Sequence, residues 1–433
     1  MSMFNNSADS ANEKEVPTAP RDPVGVAEAE NEPSVDSESQ AYRNMIAKSL
    51  LSKGNNTRLK AAIEKAKGGE PVTIAYIGGS ITHGAGAMPL HLNCYAYRSF
   101  EIFKRMFAPS EDSPIRLIKA GVGGTPSQLG IIRYDRDVLR DGTVQPDIVI
   151  VEFAVNDADD ETQGICYESL VLKALDADNK PAVILLFSVF ENDWNLQDRL
   201  APVGWHYNLP MVSVKDAVVE QFHWTQEQGH VISKKQFFYD IYHPTNAGHH
   251  IMADCLGWLF DVTDQSALDG EDEDSTNERP PLIGDHFVVG TKLLDRLNGD
   301  SIARIEAGGF QETDTDLQLT EMDDHAYGTP LFPNNWMHTG QNVTGIASFK
   351  LILRSKRLIL VFKDSGRADF GTANIRVDGA LVRTADPHQV NWTHCHAVIL
   401  YDEEHSREHT VEIAMAEGHE DKRFTILGFG FVD

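Results

Sequence analysis

The stretch VTIAYIGGSITHG, residues 72–84, decides the fold of the first half of the chain. Val72–Ile77 is a continuous apolar run, which is typical of a strand buried on both faces of a parallel sheet. Gly78 and Gly79 end the run and let the backbone turn tightly, so that Ser80 follows at the carboxyl end of the strand. In open α/β sheets, active sites form at this edge. The stretch therefore predicts a parallel sheet with a serine hydroxyl at its functional edge.

Four further apolar runs follow along the chain, and we predict that they are strands of the same sheet. They are Ile115–Ala120, Asp147–Phe153, Ala182–Val189 and Met211–Ser213. Amphipathic segments with a helical period, such as Tyr97–Met106, lie between them. Strands that alternate with helices are joined by crossover connections, and helices then cover both faces of the sheet. We expect a three-layer α/β/α domain with a flavodoxin-like parallel sheet.

Towards the C-terminus, short alternating segments separated by turn residues replace the helical patterns. These segments are Phe349–Leu353, Arg357–Phe362, Asn374–Val377, Ala397–Tyr401, Thr410–Ala414 and Phe424–Phe431. Strands of this length and spacing are typical of an all-β sandwich or jelly roll. We expect a second domain of that class, similar to carbohydrate-binding modules, over residues 286–433.

One acidic segment precedes the predicted folded regions, and a second lies between them. Residues 1–40 hold nine acidic and two basic side chains, and residues 261–285 hold nine and one. Segments of such composition bury too little apolar surface to offset the entropy of ordering. We predict a disordered tail over 1–40, the α/β domain over 41–261 and a linker over 262–285.

Charge and hydropathy exclude several classes of partner. The 433 residues carry a net charge of −27, which repels nucleic acid and anionic lipid surfaces. No apolar run approaches the ~20 residues that a membrane span needs. The first 30 residues lack the basic and apolar regions of a secretory signal, so we expect a cytoplasmic protein. The oligomeric state cannot be derived from the sequence.

Two polar or glycine-rich motifs follow predicted strands, as GGSIT does. Residues 120–127, AGVGGTPS, contain neither a dinucleotide fingerprint nor a phosphate-binding lysine. What remains is a glycine turn whose N–H groups can converge on an anion. Residues 152–157, EFAVND, place Asn156 after a buried strand, where its amide can donate to a developing negative charge.

A fourth motif, residues 240–249, reads DIYHPTNAGH. Asp240 and His243 are three residues apart, so the carboxylate can accept a hydrogen bond from one imidazole nitrogen and fix the tautomer. The other nitrogen is then available to a serine hydroxyl. A surface histidine beside an aspartate is the simpler alternative, since the chain has 17 histidines.

The four motifs, in this order, resemble those of the SGNH (GDSL-type) hydrolase family over about residues 70–260. The resemblance rests on Ser80, Gly124, Asn156, Asp240 and His243. It implies that Ser80 is the nucleophile and His243 the general base, oriented by Asp240. The backbone N–H groups of Ser80 and Gly124 and the Asn156 side chain would form the oxyanion hole. One departure is that Gly-Gly-Ser replaces the usual Gly-Asp-Ser of the family.

GGSIT, the stretch NCYAYR at residues 93–98 and the appended β domain resemble bacterial esterases that remove acetyl groups from plant polysaccharides or oligosaccharides. The resemblance implies a carbohydrate O-acetylesterase. A lipase, a thioesterase or a general short-chain esterase of the same fold is the alternative. A glycan-binding protein with an auxiliary hydrolase domain is a further one.

Aromatic side chains are candidates for sugar contacts. Trp194, Trp205 and His206 follow the run Ala182–Val189 in a predicted active-site loop, and packing under that loop is the equal alternative. In the second domain, Trp336 and Trp392 can stack on a sugar ring, although tryptophan in a small β domain is more often part of the core.

We expect no metal and no organic cofactor, since a serine esterase mechanism requires neither. The tight histidine clusters, His394-Cys395-His396 and His249-His250, lack the spacing of known zinc motifs.

Overall fold

The computed structural model describes residues 35–268, 279–284, 289–340 and 347–433. Most of the predicted tail and the middle of the predicted linker lie outside these residues. The last helix of the first domain ends at Gln265, within the start of the predicted linker. Within the described residues, no helix is both long and apolar enough to cross a lipid bilayer.

The first domain contains a six-stranded sheet, and the predicted α/β fold class is confirmed. Its strands are β1 (Leu50–Ser52), β2 (Val72–Gly78), β3 (Ile115–Gly121), β4 (Ile148–Glu152), β5 (Ala182–Phe187) and β6 (Met211–Ser213). The strand order is β1-β6-β5-β4-β2-β3, and β2 to β6 run parallel. Strand β1 pairs antiparallel with β6 at the edge and makes the sheet mixed. The sequence did not predict β1, because three half-buried residues are too short for a periodic pattern.

Helices cover both faces of this sheet. They are α1 (Gln40–Ala47), α2 (Thr57–Lys67), α3 (Ser80–His83), α4 (Leu90–Asn93), α5 (Tyr95–Phe107), α6 (Ser127–Asp137), α7 (Ile165–Leu175), α8 (Gln197–His206), α9 (Val214–His223), α10 (Lys234–Phe237) and α11 (Asn246–Gln265), with 3₁₀ turns at Asn156–Asp159 and Gln226–Gln228. Alternate residues of β2 enter different cores. Ala75 and Ile77 pack in one apolar cluster, and Ile74 and Tyr76 pack in the other. The period of two therefore divides the domain into three layers.

The second domain is built on an antiparallel sheet, as predicted. Its elements are β7 (Lys292–Leu294), α12 (Gly299–Ile302), β8 (Arg304–Glu306), β9 (Leu319–Glu321), β10 (Gly328–Pro330), β11 (Trp336–His338), β12 (Phe349–Asp364), β13 (Ala373–Val377), β14 (Ala380–Ala385), β15 (His394–Met415) and β16 (Phe424–Val432). Strands β9 and β10 form a separate hairpin, and the other eight strands form one sheet.

Two long strands replace four predicted short ones. The predicted segments Phe349–Leu353 and Arg357–Phe362 both lie in β12, whose pairing register shifts between Ser355 and Arg357. The predicted segments Ala397–Tyr401 and Thr410–Ala414 likewise both lie in strand β15, which pairs with β12. A local irregularity bends a strand without ending it, so sequence patterns at such a point resemble a turn.

The two domains share an apolar core. Leu317, Met322, Leu331 and Phe332, around the β9–β10 hairpin, belong to the same buried cluster as one face of the first domain's sheet. The guanidinium of Arg136 lies 4.6 Å from the ring centroid of Phe332. The second domain is therefore packed against the first over a continuous apolar contact.

Candidate functional site

Ser80 lies at the carboxyl end of β2 and is the first residue of α3. The two glycines before it permit close packing of neighbouring loops. A Cβ atom on Gly79 would come within 1.9 Å of Asn156 Oδ1, and one on Gly78 within 2.1 Å of Thr82 Oγ1. Glycine at these two positions thus lets the serine turn lie directly against the Asn156 side chain.

His243 joins Ser80 to Asp240, as the spacing of the fourth motif predicts. Its Nε2 atom lies 2.9 Å from Ser80 Oγ, and its Nδ1 atom lies 2.8 Å from Asp240 Oδ2. The other carboxylate oxygen of Asp240 accepts hydrogen bonds from the backbone N–H groups of Tyr242 and His243, at 2.7 and 2.8 Å. The carboxylate therefore fixes both the imidazole ring and the loop that carries it.

These hydrogen bonds favour the ionised form of the Asp240 carboxyl group. Partial burial works to raise the pKa of the carboxyl group. The hydrogen bond and charge of His243, together with the two backbone N–H donors, outweigh burial and lower the pKa below its usual value. An ionised Asp240 holds the imidazole with Nδ1 protonated, which leaves the Nε2 lone pair directed at the serine hydroxyl.

Gly124 and Asn156 line the same cleft as Ser80 and His243. Gly124 follows β3 with φ +70°, in the left-handed region that favours glycine. Asn156 begins the 3₁₀ turn after β4. The structure therefore brings together all five residues on which the family resemblance rests.

Residues 76–251 match the model of the GDSL-like lipase/acylhydrolase family. The first domain is similar to this family over this stretch. The chain is accordingly a carboxylic ester hydrolase. No curated protein matches it in sequence.

The likeness to one solved esterase extends over both domains. The crystal structure of a two-domain esterase (CEX) active on acetylated mannans is 27% identical, with a TM-score of 0.74, and the match covers 90% of this chain and 99% of that chain. A structure of CEX co-crystallised with mannopentaose is also 27% identical, with a TM-score of 0.73 and coverage of 89% and 98%. The arrangement of SGNH domain and antiparallel β domain is thus shared.

The second domain of this hydrolase holds the glycine turn through the β9–β10 hairpin. Thr320 donates its hydroxyl to the carbonyl of Gly121 at 2.6 Å. Gln318 donates its amide to the carbonyl of Gly123 at 2.8 Å and accepts a hydrogen bond from the backbone N–H of Cys395 at 2.9 Å. Both donors are nearly fully buried, so water does not compete for these carbonyls.

Strand β15 and the loop before it complete the support. His394 Nε2 donates to the carbonyl of Gly124 at 3.0 Å. The ring of Trp392 lies 2.9 Å from the position a Cβ on Gly124 would occupy, so only glycine fits beneath it. Sequence reasoning missed these contacts because they depend on how the two domains dock.

His83 lines the cleft beside the serine and has a structural partner in the second domain. Burial, and then the nearby charges of Lys119 and His243, lower its pKa to about 4. Its Nε2 atom accepts a hydrogen bond from the backbone N–H of Glu321 at 3.0 Å, which ties α3 to the β9–β10 hairpin. A neutral His83 is therefore a structural link between the domains.

The cleft has a volume of about 1100 Å³ and is lined by both domains. The first domain contributes Phe190 and Tyr242, whose rings meet edge to face at 5.0 Å. The second domain contributes residues 389–392 and 394–397, which include Trp392. This volume exceeds what an acetyl group needs and accommodates part of a larger molecule.

The predicted aromatic contacts have different outcomes. Trp194 stacks on the cleft-lining ring of Phe190 with ring centroids 5.8 Å apart, and it is not itself among the described residues that line the cleft. Trp205 is 54% exposed near the end of α8, and His206 hydrogen bonds to the carbonyl of Pro280. Among the described residues that line the cleft, neither Trp205 nor His206 is found.

The prediction that Trp336 contacts substrate is wrong. Its side chain is buried in the core of the β domain, 5.2 Å from the ring centroid of Phe349 and 6.3 Å from that of Phe429. Trp392, the other tryptophan considered, lines the cleft instead. Each tryptophan follows an asparagine and precedes a histidine by two residues, so only the folded sheet distinguishes them.

Proposed function

We propose that this chain is a carbohydrate O-acetylesterase that removes acetyl groups from mannan-type polysaccharides or oligosaccharides. The observation that carries the proposal is the match over both domains to an esterase active on acetylated mannans. A cleft shared by the two domains supports it, because a polymer needs a surface wider than the acyl pocket. The cytoplasmic location stays a prediction.

In the proposed mechanism, Ser80 Oγ attacks the acetyl carbonyl while His243 Nε2 accepts the hydroxyl proton. The 2.9 Å separation of these two atoms suits direct proton transfer. Asp240 keeps the imidazole oriented and stabilises its positive charge. His243 then protonates the departing sugar oxygen, which leaves an acetyl group on Ser80.

The tetrahedral oxyanion would receive hydrogen bonds from the N–H groups of Ser80 and Gly124 and from the Asn156 amide. Preorganised donors of this kind stabilise charge that develops only in the transition state. Water, activated by His243, then attacks the acetyl-enzyme and releases acetate. All the protein groups that act in these reaction steps are side chains or backbone amides of the first domain.

The side chains of the cleft wall are suited to the sugar that leaves the acetyl group. The aromatic rings of Phe190, Tyr242 and Trp392 lie in the cleft wall together with polar groups such as Gln389 and Asn391. Rings flanked by hydrogen-bonding groups are suited to the apolar faces and hydroxyls of sugars. We propose that sugar residues occupy this part of the cleft.

The proposal is tested by measuring acetate release from acetylated mannan, acetylated xylan and short acetylated oligosaccharides, alongside p-nitrophenyl esters of increasing chain length. We expect acetate release from mannan substrates and loss of all hydrolysis in Ser80→Ala. The exposed Ser37 provides the matched control, and Ser37→Ala should retain full activity. A preference for long acyl chains without release from any glycan would refute the substrate class and leave a lipid or thioester hydrolase.

A further inference from the structure

Three side chains that commonly bind metals converge in the part of the cleft wall that the second domain supplies. Asp364 ends β12, and His394 and His396 begin the neighbouring β15. Asp364 and His394 are paired in the strand register, with His396 two residues further along. One ligand atom from each residue lies within 4.8 Å of the other two.

Two of these side chains present buried lone pairs that have no hydrogen-bond partner among the described residues. His394 donates its Nε2 proton to the carbonyl of Gly124, which leaves Nδ1 as an unpaired acceptor. Asp364 accepts a hydrogen bond from the backbone N–H of Val390 at 3.1 Å through Oδ2, and the backbone N–H of Gln389 also interacts with the carboxylate, whereas Oδ1 has no partner within hydrogen-bond distance among the described residues. Two unsatisfied buried acceptors require a donor or a cation.

The surroundings of these two groups suit a cation. Asp364 is fully buried and His394 is 7% exposed, so neither the carboxylate charge nor the Nδ1 lone pair is well solvated. A metal bound between the two groups would use the free lone pair and compensate the buried charge.

We propose that Asp364, His394 and His396 bind a divalent transition-metal ion in the cleft wall. Two imidazoles and a carboxylate are ligands that such ions, Zn²⁺ among them, accept. Since the three atoms lie within 4.8 Å of one another, a point exists within about 2.8 Å of each, and inward movements of at most about 0.7 Å bring the atoms to the usual Zn–N distance of about 2.0–2.1 Å. His394 and His396 both line the cleft, so further coordination positions are open to water or a substrate hydroxyl.

The imidazole ring of His394 connects the proposed metal site to the glycine turn. Metal-bound histidines usually donate their second N–H to a carbonyl, which fixes the ring and its tautomer. His394 makes this contact with Gly124. The bound ion would therefore hold the ring that supports Gly124, while the triad completes the chemistry without it.

The test is a calorimetric titration of the metal-free full-length protein with Zn²⁺, with Co²⁺ as a spectroscopic probe. We expect one Zn²⁺ per chain with at least about tenfold weaker binding in His396→Gln and in Asp364→Asn. The amide oxygen introduced by Asp364→Asn can still accept the Val390 N–H, so this variant removes charge without removing the local hydrogen bond. Co²⁺ should give the visible absorption of a four- or five-coordinate site in the unaltered protein.

The exposed His405 of β15 provides the matched control. His405→Gln removes an imidazole from the same strand and should bind Zn²⁺ as the unaltered protein does. Circular dichroism and thermal melting verify that each variant is folded. Equal Zn²⁺ binding by all four proteins, or an octahedral Co²⁺ spectrum that does not differ from that of the free aqueous ion, would overturn the proposal.

Discussion

Replacement of Gln318 by methionine tests whether the second domain positions the oxyanion donor. The carbonyl of Gly123 and the N–H of Gly124 belong to one peptide group, so the amide of Gln318, 2.8 Å from that carbonyl, fixes the plane of the proposed donor. Hydrogen bonding to the carbonyl also polarises the N–H group. Gln318→Met keeps the length of the side chain and removes both of its hydrogen bonds.

The expected loss is in kcat rather than in KM. Removal of an entire oxyanion donor typically costs about 10²–10³-fold in kcat. Here the N–H group remains and only its orientation is released, so we expect a decrease of about 10–100-fold, or roughly 1.4–2.7 kcal/mol. KM on p-nitrophenyl acetate should change little, because the oxyanion exists only in the transition state.

Thr320→Val is the matched control for this experiment. It removes the donor to Gly121, whose carbonyl lies in a different peptide group from the Gly124 N–H. Thr320→Val leaves one buried carbonyl without its partner and should lose about 1–3 kcal/mol of folding free energy, whereas Gln318→Met also leaves the Cys395 N–H unpaired and should lose at least as much. If the two variants have the same kcat, or if Gln318→Met retains full kcat while folded, the positioning argument is wrong.

Three further predictions concern other parts of the site. Asp240→Asn should lower kcat by about 10⁴-fold with little change in folding, measured with p-nitrophenyl acetate, because the amide can hold the wrong His243 tautomer. Trp392→Ala should raise KM for acetylated oligosaccharides but not for p-nitrophenyl acetate, whereas Trp336→Ala should lose about 3–5 kcal/mol of stability in urea unfolding. Burial raises the pKa of Glu152 to about 7, so its stabilising contribution is complete below pH 4.5 and is lost as pH rises through 7. The free energy of unfolding of the unaltered protein should therefore fall between about pH 5 and pH 8. That of Glu152→Gln should fall less over the same range, by on the order of 3 kcal/mol.

The first domain could be largely predicted because its information is local. Each of Ser80, Gly124 and Asn156 follows a buried strand within a few residues, and parallel strands bring such loops to one edge. The domain boundaries and the catalytic roles stay predictions. Strand β1 was missed because it depends on pairing with β6 and not on its own pattern.

The contribution of the second domain could not be predicted in the same way. Trp336 and Trp392 have similar sequence surroundings, and only the docking of the domains places one in a core and the other in the cleft. Asp364 and His394 are neighbours across two paired strands, although 30 residues separate them in sequence. Motif spacing cannot detect a group of ligands assembled by strand register.

The shared apolar core restricts how such a protein can be altered by recombination. A β domain exchanged at the linker would bring with it the side chains at 317–332 that fill the first domain's core and hold its glycine turn. A chimera with mismatched partners would lose packing and activity together, even with Ser80, Asp240 and His243 intact. We expect exchangeable units in this architecture to be whole two-domain chains, so that new glycan preferences arise by substitutions in segment 389–397 rather than by replacement of the domain.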